Sequence, residues 1–506
     1  MRLILTPTTI RQLAVQPGLR GGATARDPLA RRRSAKRALM LAVALAVVSA
    51  TLVAAAPDAQ PQSAGATTAA TRTRPNIVLI LTDDQRYDTL WAMPTVQSEL
   101  VAKGMEFTKG YVSNPLCCPS RTTILTGRYS HSTLVYTNKP GEPYGGFPAF
   151  HDQSTIATVL HGAGYRTALF GKYLNGYRTS YVPPGWDRWF ATWDQGGFYG
   201  YSANTDGALR TFGSNPTDYG TDVLAERATG FIRSTDPDRS LFLYFAPHAP
   251  HEPATPAPED ERKFSDLEPW RPTSYDEPNV SDKPEYIQAE ESLGGAMAAK
   301  IDQFRLDQYR SLLAVDRAVS NIIHALSDTG RLSNTMIVFM SDNGMLWGEH
   351  RWNKKVVPYE ESVHVPFVVR ADSLLAAPRR DGHLVLNVDV APTFAQLAGI
   401  VAPNMEGRSL LPLIASPTAS WRFDFLLEHL KMDVGGVPTY CGVHSTRYVY
   451  VDYTTGEEEL YDLARDPLEL TNRADDPAYQ DERRALRDRL VQLCRPRPPG
   501  FSFSFR

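Results

Sequence analysis

Four stretches of the chain are apolar without interruption: NIVLIL at 76–81, TALF at 167–170, LFLYF at 241–245 and MIVFM at 336–340. A strand with one face in water alternates apolar and polar side chains, and these runs do not. They predict strands of a parallel sheet that is covered on both faces. Between the last two, Leu312, Val315, Val319, Ile322, Ile323 and Leu326 recur at helical spacing, and Gly330 sits just past the expected helix end. Alternation appears only near the C-terminus. There YVYVDY at 448–453, the turn TTG at 454–456 and ELYDL at 459–463 predict an antiparallel hairpin, followed by a charged helix over 477–493. The expected class is therefore α/β. A large, mostly parallel sheet flanked by helices precedes a smaller C-terminal α+β subdomain carrying an antiparallel sheet. The segment at about 250–300, dense in Pro, Glu and Asp, is expected to be a solvated excursion that could border a substrate site.

The N-terminus follows a different pattern. RRRSAKR at 31–37 precedes an apolar run at 38–56, and residues 57–73 are rich in Ala, Thr, Gln and Pro. Basic, apolar, then small residues form the pattern of an export signal with a flexible linker, so the protein is expected to be exported, as a secreted or cell-envelope protein. An uncleaved anchor stays open, because the run is just long enough to span a bilayer; membrane contact is expected nowhere else. The expected boundaries are 1–73 for signal and linker, 74–410 for the main α/β domain and 411–506 for the C-terminal subdomain.

Composition narrows the function classes. Apolar residues make up 42% and charged residues 22% of 506, ordinary for a globular chain, and the net charge of −3 offers no field for nucleic acid. There are only four cysteines. In an exported protein Cys441 and Cys494 could form a disulfide. Cys117 and Cys118 are adjacent, and disulfide geometry does not suit neighbouring Cα atoms.

Each buried strand runs straight into a polar cluster: Asp83-Asp84 after the first, Gly171-Lys172 after the second, His248 and His251 after the third, and Asp342-Asn343-Gly344 after the fourth. Ligands of open α/β sheets bind at the carboxyl ends of strands, so the four clusters are expected to meet in one site. Asp83, Asp84, Asp342 and Asn343 offer only hard oxygen donors, which suit Ca²⁺ or Mg²⁺. Singly, the Asp pair reads better as a helix cap and Asp-Asn-Gly as a tight turn; together they favour a metal. Pro119 suits the first turn of a helix continuing through 121–126. Cys117 would then lie at a helix N-terminus near Arg121, as a nucleophile, an anion-binding group or both. Cys118 reads more readily as a buried structural residue.

CCPSR at 117–121 followed by LTGR at 125–128 resembles the signature of the sulfatase family, C-x-P-S-R-x-x-x-L-T-G-R, at every fixed position. The resemblance extends over residues 74–472. It takes in Asp83-Asp84, Pro250-His251, Ser341 to Gly344, Gly348-Glu349-His350, Lys355, Tyr359 to Ser362, and Glu459 to Leu463. With Gly171-Lys172-Tyr173-Leu174-Asn175, the chain is most similar to the N-acetylglucosamine-6-sulfatases that act on glycosaminoglycans. The resemblance implies an alkaline-phosphatase-like fold. It also implies that a formylglycine-generating enzyme oxidises Cys117 to formylglycine (3-oxoalanine), an aldehyde whose hydrate attacks sulfate esters. The implied metal ligands are Asp83, Asp84, Asp342 and Asn343, with modified Cys117 as a fifth contributor. Arg121 would stabilise the ionised hydrate, Lys172 and Lys355 would bind sulfate oxygens, and His251 would protonate the leaving alcohol. His248 would line the cleft, and Cys118 would be a packed bystander. His350 could orient a neighbour or border the pocket and His131 could border the pocket, but both read more readily as satisfied structural histidines.

The chain departs from many sulfatases at one place. Two residues after Lys172, where a histidine is usual, stands Leu174, followed by Asn175. Asn175 can hydrogen-bond a neighbour but cannot take up a proton at neutral pH. The expected function is sulfate-ester hydrolysis, on a sulfated sugar such as N-acetylglucosamine 6-sulfate. Three alternatives stand beside it: an arylsulfatase of broad specificity, a phosphate or phosphonate monoester hydrolase, and a non-catalytic binder of sulfated glycans.

Overall fold

A computed structural model describes residues 74–194, 196–431 and 436–505. The export segment expected at 1–73 lies outside the described residues. The four apolar runs are the strands Asn76–Thr82, Arg166–Lys172, Leu241–Ala246 and Thr335–Ser341, buried along almost their whole length. They lie side by side in a ten-stranded sheet. From one edge the order begins Arg379–Asp381, Met105–Phe107, Phe367–Ala371, Thr335–Ser341 and Asn76–Thr82. It continues through Leu241–Ala246, Arg166–Lys172, Arg188–Thr192, Ser202–Thr205 and Ala208–Thr211. The middle five strands are parallel, and antiparallel pairs join both flanks to them.

The missing alternation has a direct cause. Ile77, Leu79 and Leu81 face one core, with Phe242, Tyr244 and the helices Cys117–Thr126 and Val390–Leu397. Val78 and Ile80 face the other, with Leu243, Phe245 and the helices Gly220–Arg233 and Gly295–Asp328. The long helix begins inside the stretch expected to be irregular. Ala296, Met297, Ala298 and Ala299 are strong helix formers and extend it back to Gly295. The rest of that stretch is largely solvent-facing, as expected, but Ser274, Glu277, Val280, Tyr286 and Ile287 are buried, and it clasps the turn at 348–351. Asp276 N donates to Gly348 O at 2.8 Å, and Arg351 Nε donates to Glu277 O at 3.0 Å.

The C-terminal strands Asp424–His429, Tyr440–Ser445, Tyr448–Tyr453 and Glu458–Asp462 form a separate antiparallel sheet. One face packs Phe425, Leu427, Tyr440 and Val451 onto Tyr111, Trp352 and Tyr359 of the main body. The other packs Leu426, Val443 and Leu460 against Leu490 of the helix Gln480–Leu493. Cys441 is bonded to Cys494 just past that helix, closing a loop of 53 residues. Among the described residues, no helix is long and apolar enough to cross a membrane.

A cross-link over 53 residues removes denatured-chain entropy worth about 4 kcal/mol in the chain-entropy account. Cys441→Ser/Cys494→Ser is therefore expected to lower unfolding free energy by about 2–4 kcal/mol. Urea titration followed by tryptophan fluorescence checks this, and an unchanged midpoint would show the bond to be idle.

Candidate active site and metal centre

Strand register assembles the site. Thr82 pairs with Ser341, so Asp83-Asp84 and Asp342-Asn343 leave the sheet side by side, while Gly171 pairs with Ala246 on the far flank. Backbone bonds extend the alignment: Asp342 N donates to Thr82 O at 3.1 Å and Asp83 N to Ala249 O at 3.2 Å. Gly171 has φ +124, and a Cβ there would stand 1.9 Å from Ala246 O, so only glycine lets the lysine strand sit this close. Asp84 adopts φ +65, a left-handed conformation that Asp tolerates, and its N–H donates to Asp342 Oδ1 at 3.2 Å.

The helix Cys117–Thr126 delivers the cysteine pair. Cys117 is fully buried at its first turn, with Sγ 3.0 Å from Lys355 Nζ and 3.5 Å from Asp83 Oδ1. Lys172 Nζ pairs with Asp83 and Lys355 Nζ with Asp84. Arg121 donates from Nε to Asp342 Oδ2 at 2.7 Å and from Nη1 to Lys172 O at 2.9 Å, and its Nη2 lies 3.7 Å from Asp83. Burial opposes ionisation of Asp83, but Lys172, His251, Arg121 and Lys355 outweigh it and hold the carboxyl well below its usual range. Asp84 is lowered against the same penalty, chiefly by Lys355. For Asp342, burial and Asp83 outweigh Arg121 and push the carboxyl up. Burial also pushes the Cys117 thiol up to about 11, despite Lys172 and Lys355.

These residues fit a divalent cation. One ligand atom each from Asp83, Asp84, Cys117 and His251 lie within 4.8 Å of one another. Asn343 Oδ1 is buried with no partner, although its Nδ2 donates to Asp84 Oδ1 at 2.7 Å. A buried carbonyl oxygen without a donor beside carboxylates is an atom suited to a hard cation. Asp342 stands outside the tight group because Arg121 holds one oxygen and the Asp84 amide the other.

The histidines separate by environment. His251 Nδ1 donates to Glu252 O at 2.8 Å, which leaves Nε2 directed at Asp84 Oδ2, 3.6 Å away. His248 packs beside it, and burial, then His251, push its imidazole down to about 3, so it is neutral. His350 is a structural histidine and not a pocket residue. It is fully buried, bonded to Glu277 Oε2 at 2.7 Å, and cannot border a cleft. His131 is nearly buried on Glu428 at 3.0 Å, a structural pair that reaches none of the clustered groups. Asn175 touches Cys118 rather than Cys117.

Of the frame behind the centre, sequence reasoning named Glu349 and Glu361 but not Arg86, Trp270 or Trp347. Arg86 donates to Glu349 Oε1 at 2.7 Å, and its guanidinium lies 4.1 Å above Trp347 and 5.3 Å from the Trp270 ring centre. Trp270 Nε1 donates to the same Glu349 oxygen at 2.6 Å. Adjacency to Asp83-Asp84 was the only signal for Arg86. Glu361 lies against this frame, where burial and then Glu349 push its carboxyl up to about 7, with Arg86 opposing.

The family model described as Sulfatase matches residues 75–400, and the N-sulphoglucosamine sulphohydrolase C-terminal model matches residues 348–495. An extracellular sulfatase SULF-1 homolog of Drosophila melanogaster is 36% identical over 377 residues, covering 72% of this chain and 34% of the relative. The N-acetylglucosamine-6-sulfatase of Homo sapiens is 32% identical over 380 residues, covering 71% of this chain and 68% of the relative. The chain spans about half the length, 53%, of a Caenorhabditis elegans Sulf-1 homolog that it also matches. Among solved structures, BT4656 in complex with its substrate D-glucosamine-2-N,6-O-disulfate superposes with a TM-score of 0.74. It is 23% identical and covers 83% of this chain and 97% of its own. The phosphonate monoester hydrolase of Agrobacterium radiobacter superposes at 0.65 with 21% identity, covering 83% and 95%. Likeness at that identity speaks to fold alone.

The Glu361 carboxyl generates a pH prediction. With a folded value near 7 and an ordinary value near 4.5, the folded state retains a proton that the unfolded chain releases. Stability is therefore lost as pH rises from about 4.5 to 7, by up to about 3 kcal/mol. Glu361→Gln removes this loss: wild type and variant are expected to match near pH 4.5 and to diverge by pH 7 in urea titrations. A difference that does not change with pH would contradict the assignment.

Proposed function

The chain belongs to the sulfatase family, and from that premise we propose that it hydrolyses sulfate esters of sulfated sugars, with N-acetylglucosamine 6-sulfate as the model substrate. The observation that carries the proposal is the convergence of Cys117 with two lysines, two aspartates and a histidine: its Sγ is 3.0 Å from Lys355 Nζ and 3.5 Å from Asp83 Oδ1. Relatives named for N-acetylglucosamine-6-sulfatase activity support the substrate class. Those named extracellular sulfatases support export.

Cys117 in its thiol form is a poor nucleophile here, since burial keeps it protonated at neutral pH. Formylglycine made at this position by a maturation enzyme would supply, as its hydrate, an oxygen nucleophile instead. A divalent cation held by Asp83, Asp84, Asp342 and Asn343, for which we propose Ca²⁺, would polarise sulfate oxygens and favour the ionised nucleophile. The remaining work falls to side chains. Lys172 and Lys355 are cations poised to hold sulfate oxygens, and Arg121 fixes Asp342 while adding positive charge beside residue 117. His251 has Nδ1 committed to a carbonyl, so Nε2 is the atom free to deliver a proton to the leaving sugar oxygen. A sugar alkoxide leaves poorly, which makes that proton worth most for this substrate. Neutral His248 contributes an uncharged wall beside it.

Two experiments test the reading. The tryptic peptide 110–121, from protein isolated from its native host, is expected to show conversion of Cys117 with Cys118 still alkylatable. Cys117→Ser is expected to lose nearly all turnover of N-acetylglucosamine 6-sulfate and an aryl sulfate while unfolding normally; retained turnover would sink the mechanism. Preferential turnover of a phosphonate ester would move the chain to the monoester hydrolases, and sulfated-glycan binding without turnover would make it a binder.

Removal of the cation is a third test. Chelation is expected to abolish turnover and lower the thermal midpoint, because Asp83 and Asp84 lose a partner, and Ca²⁺ is expected to restore both. Full activity in the chelated protein would refute the metal assignment.

A further inference from the structure

The second cysteine of the pair has a specific contact. Cys118 is fully buried, and its Sγ accepts the Asn175 N–H at 3.1 Å while lying 3.5 Å from Asn175 Oδ1. Its own backbone N–H is held by Asn138 Oδ1 at 2.8 Å, so the thiol cannot drift. A thiol carries one proton and is a weak acceptor. With the Asn175 N–H already directed at sulfur, the S–H is free to donate to Oδ1, whereas a flipped amide would crowd a second N–H donor onto that weak acceptor and leave the thiol proton without an acceptor. The thiol therefore selects one amide orientation. Burial pushes the Cys118 thiol up to about 12, which keeps that proton in place.

The consequence lies at the other end of the amide. Asn175 Nδ2 has no hydrogen-bond partner among the described residues, and the residue retains slight exposure at 6%. It follows Lys172 by three positions, and its contact, Cys118, adjoins Cys117. Its carbonyl end is committed to sulfur, so the donor end is the one left for a ligand. Leu174 offers no polar atom at the position where a histidine is usual.

We propose that Cys118 is a positioning residue whose thiol fixes the Asn175 amide so that Nδ2 donates to an oxygen of the bound sulfate ester. This rests on the proposed sulfatase activity and deepens it. The two cysteines divide the work: the first carries the reacting group, and the second orients a neutral donor beside it.

A double-mutant cycle tests the inference. kcat/KM for N-acetylglucosamine 6-sulfate is measured in Cys118→Ala, Cys118→Ser, Asn175→Ala and Cys118→Ala/Asn175→Ala, per mole of converted Cys117 read from the 110–121 peptide mass. Binding of inorganic sulfate is measured by calorimetry on the same proteins. Loss of one neutral hydrogen bond predicts a fall of about 5-fold for Cys118→Ala and about 10-fold for Asn175→Ala. Cys118→Ser, which keeps a donor and an acceptor, is expected to stay within about 2-fold of wild type. The double variant is expected to match Asn175→Ala, because an absent amide cannot be misoriented. Independent, multiplying effects, or a serine as harmful as alanine at an unchanged thermal midpoint, would overturn the proposal. Wild type that binds sulfate with the expected non-additivity but turns over no ester would instead refute the activity and leave the positioning role standing.

Discussion

A balance of charge without water holds this site together. Asp83 and Asp342 face Arg121 and Lys172 with side chains 0% exposed, and Asp84 faces Lys355 only slightly nearer to solvent. Three carboxylates against three cations make a neutral set, and breaking a buried pair by removing one partner costs about 3–5 kcal/mol. Much of the architecture can be read as the means of keeping that set complete. The in-register pairing of Thr82 with Ser341 brings two acidic pairs together, and the close approach at Gly171 brings the lysine strand within reach. Helix Cys117–Thr126 carries the arginine in from the side. A divalent cation added to a neutral set leaves it net positive. The lysines that pair with carboxylates here would then be available to an anionic ester, and one group of charges would serve both folding and the recognition we propose.

The parts of this arrangement that were legible in the sequence share a property: their signal is local. Unbroken apolar runs announced the buried strands, and period two announced the C-terminal hairpin. The polar clusters at the strand ends announced where a site would form. Partners far apart in the chain were not legible. His350 stands in a motif beside Glu349, yet its role is set by Glu277, 73 residues away, which seals it from solvent. The stretch after residue 250 looked solvated because Pro, Glu and Asp dominate it, but Trp270 within it reaches Glu349 and completes the support under Arg86. Composition reports the average preference of a segment and does not show which residue, here the half-buried Trp270, turns inward. The start of the long helix was missed for a related reason, since an alanine-rich first turn has helix propensity without an apolar stripe.

The adjacent cysteines show why burial matters more here than the nearby positive charge. A helix N-terminus and two lysines would ordinarily draw a thiol toward its anion. At residue 117 the loss of water outweighs them, and Asp83 and Asp342 push the same way, so the thiol stands near 11. At neutral pH the thiol keeps its proton. A site that dry suits a group that enters as a neutral species and ionises only beside its cations. An aldehyde hydrate meets that requirement, and a cysteine does not. The same dryness serves Cys118 differently, because burial keeps its proton on sulfur, where it can be donated to the Asn175 amide. Two identical side chains, one residue apart and equally buried, thus diverge in role through what faces them: charges and a lysine ammonium for the first, a single amide for the second.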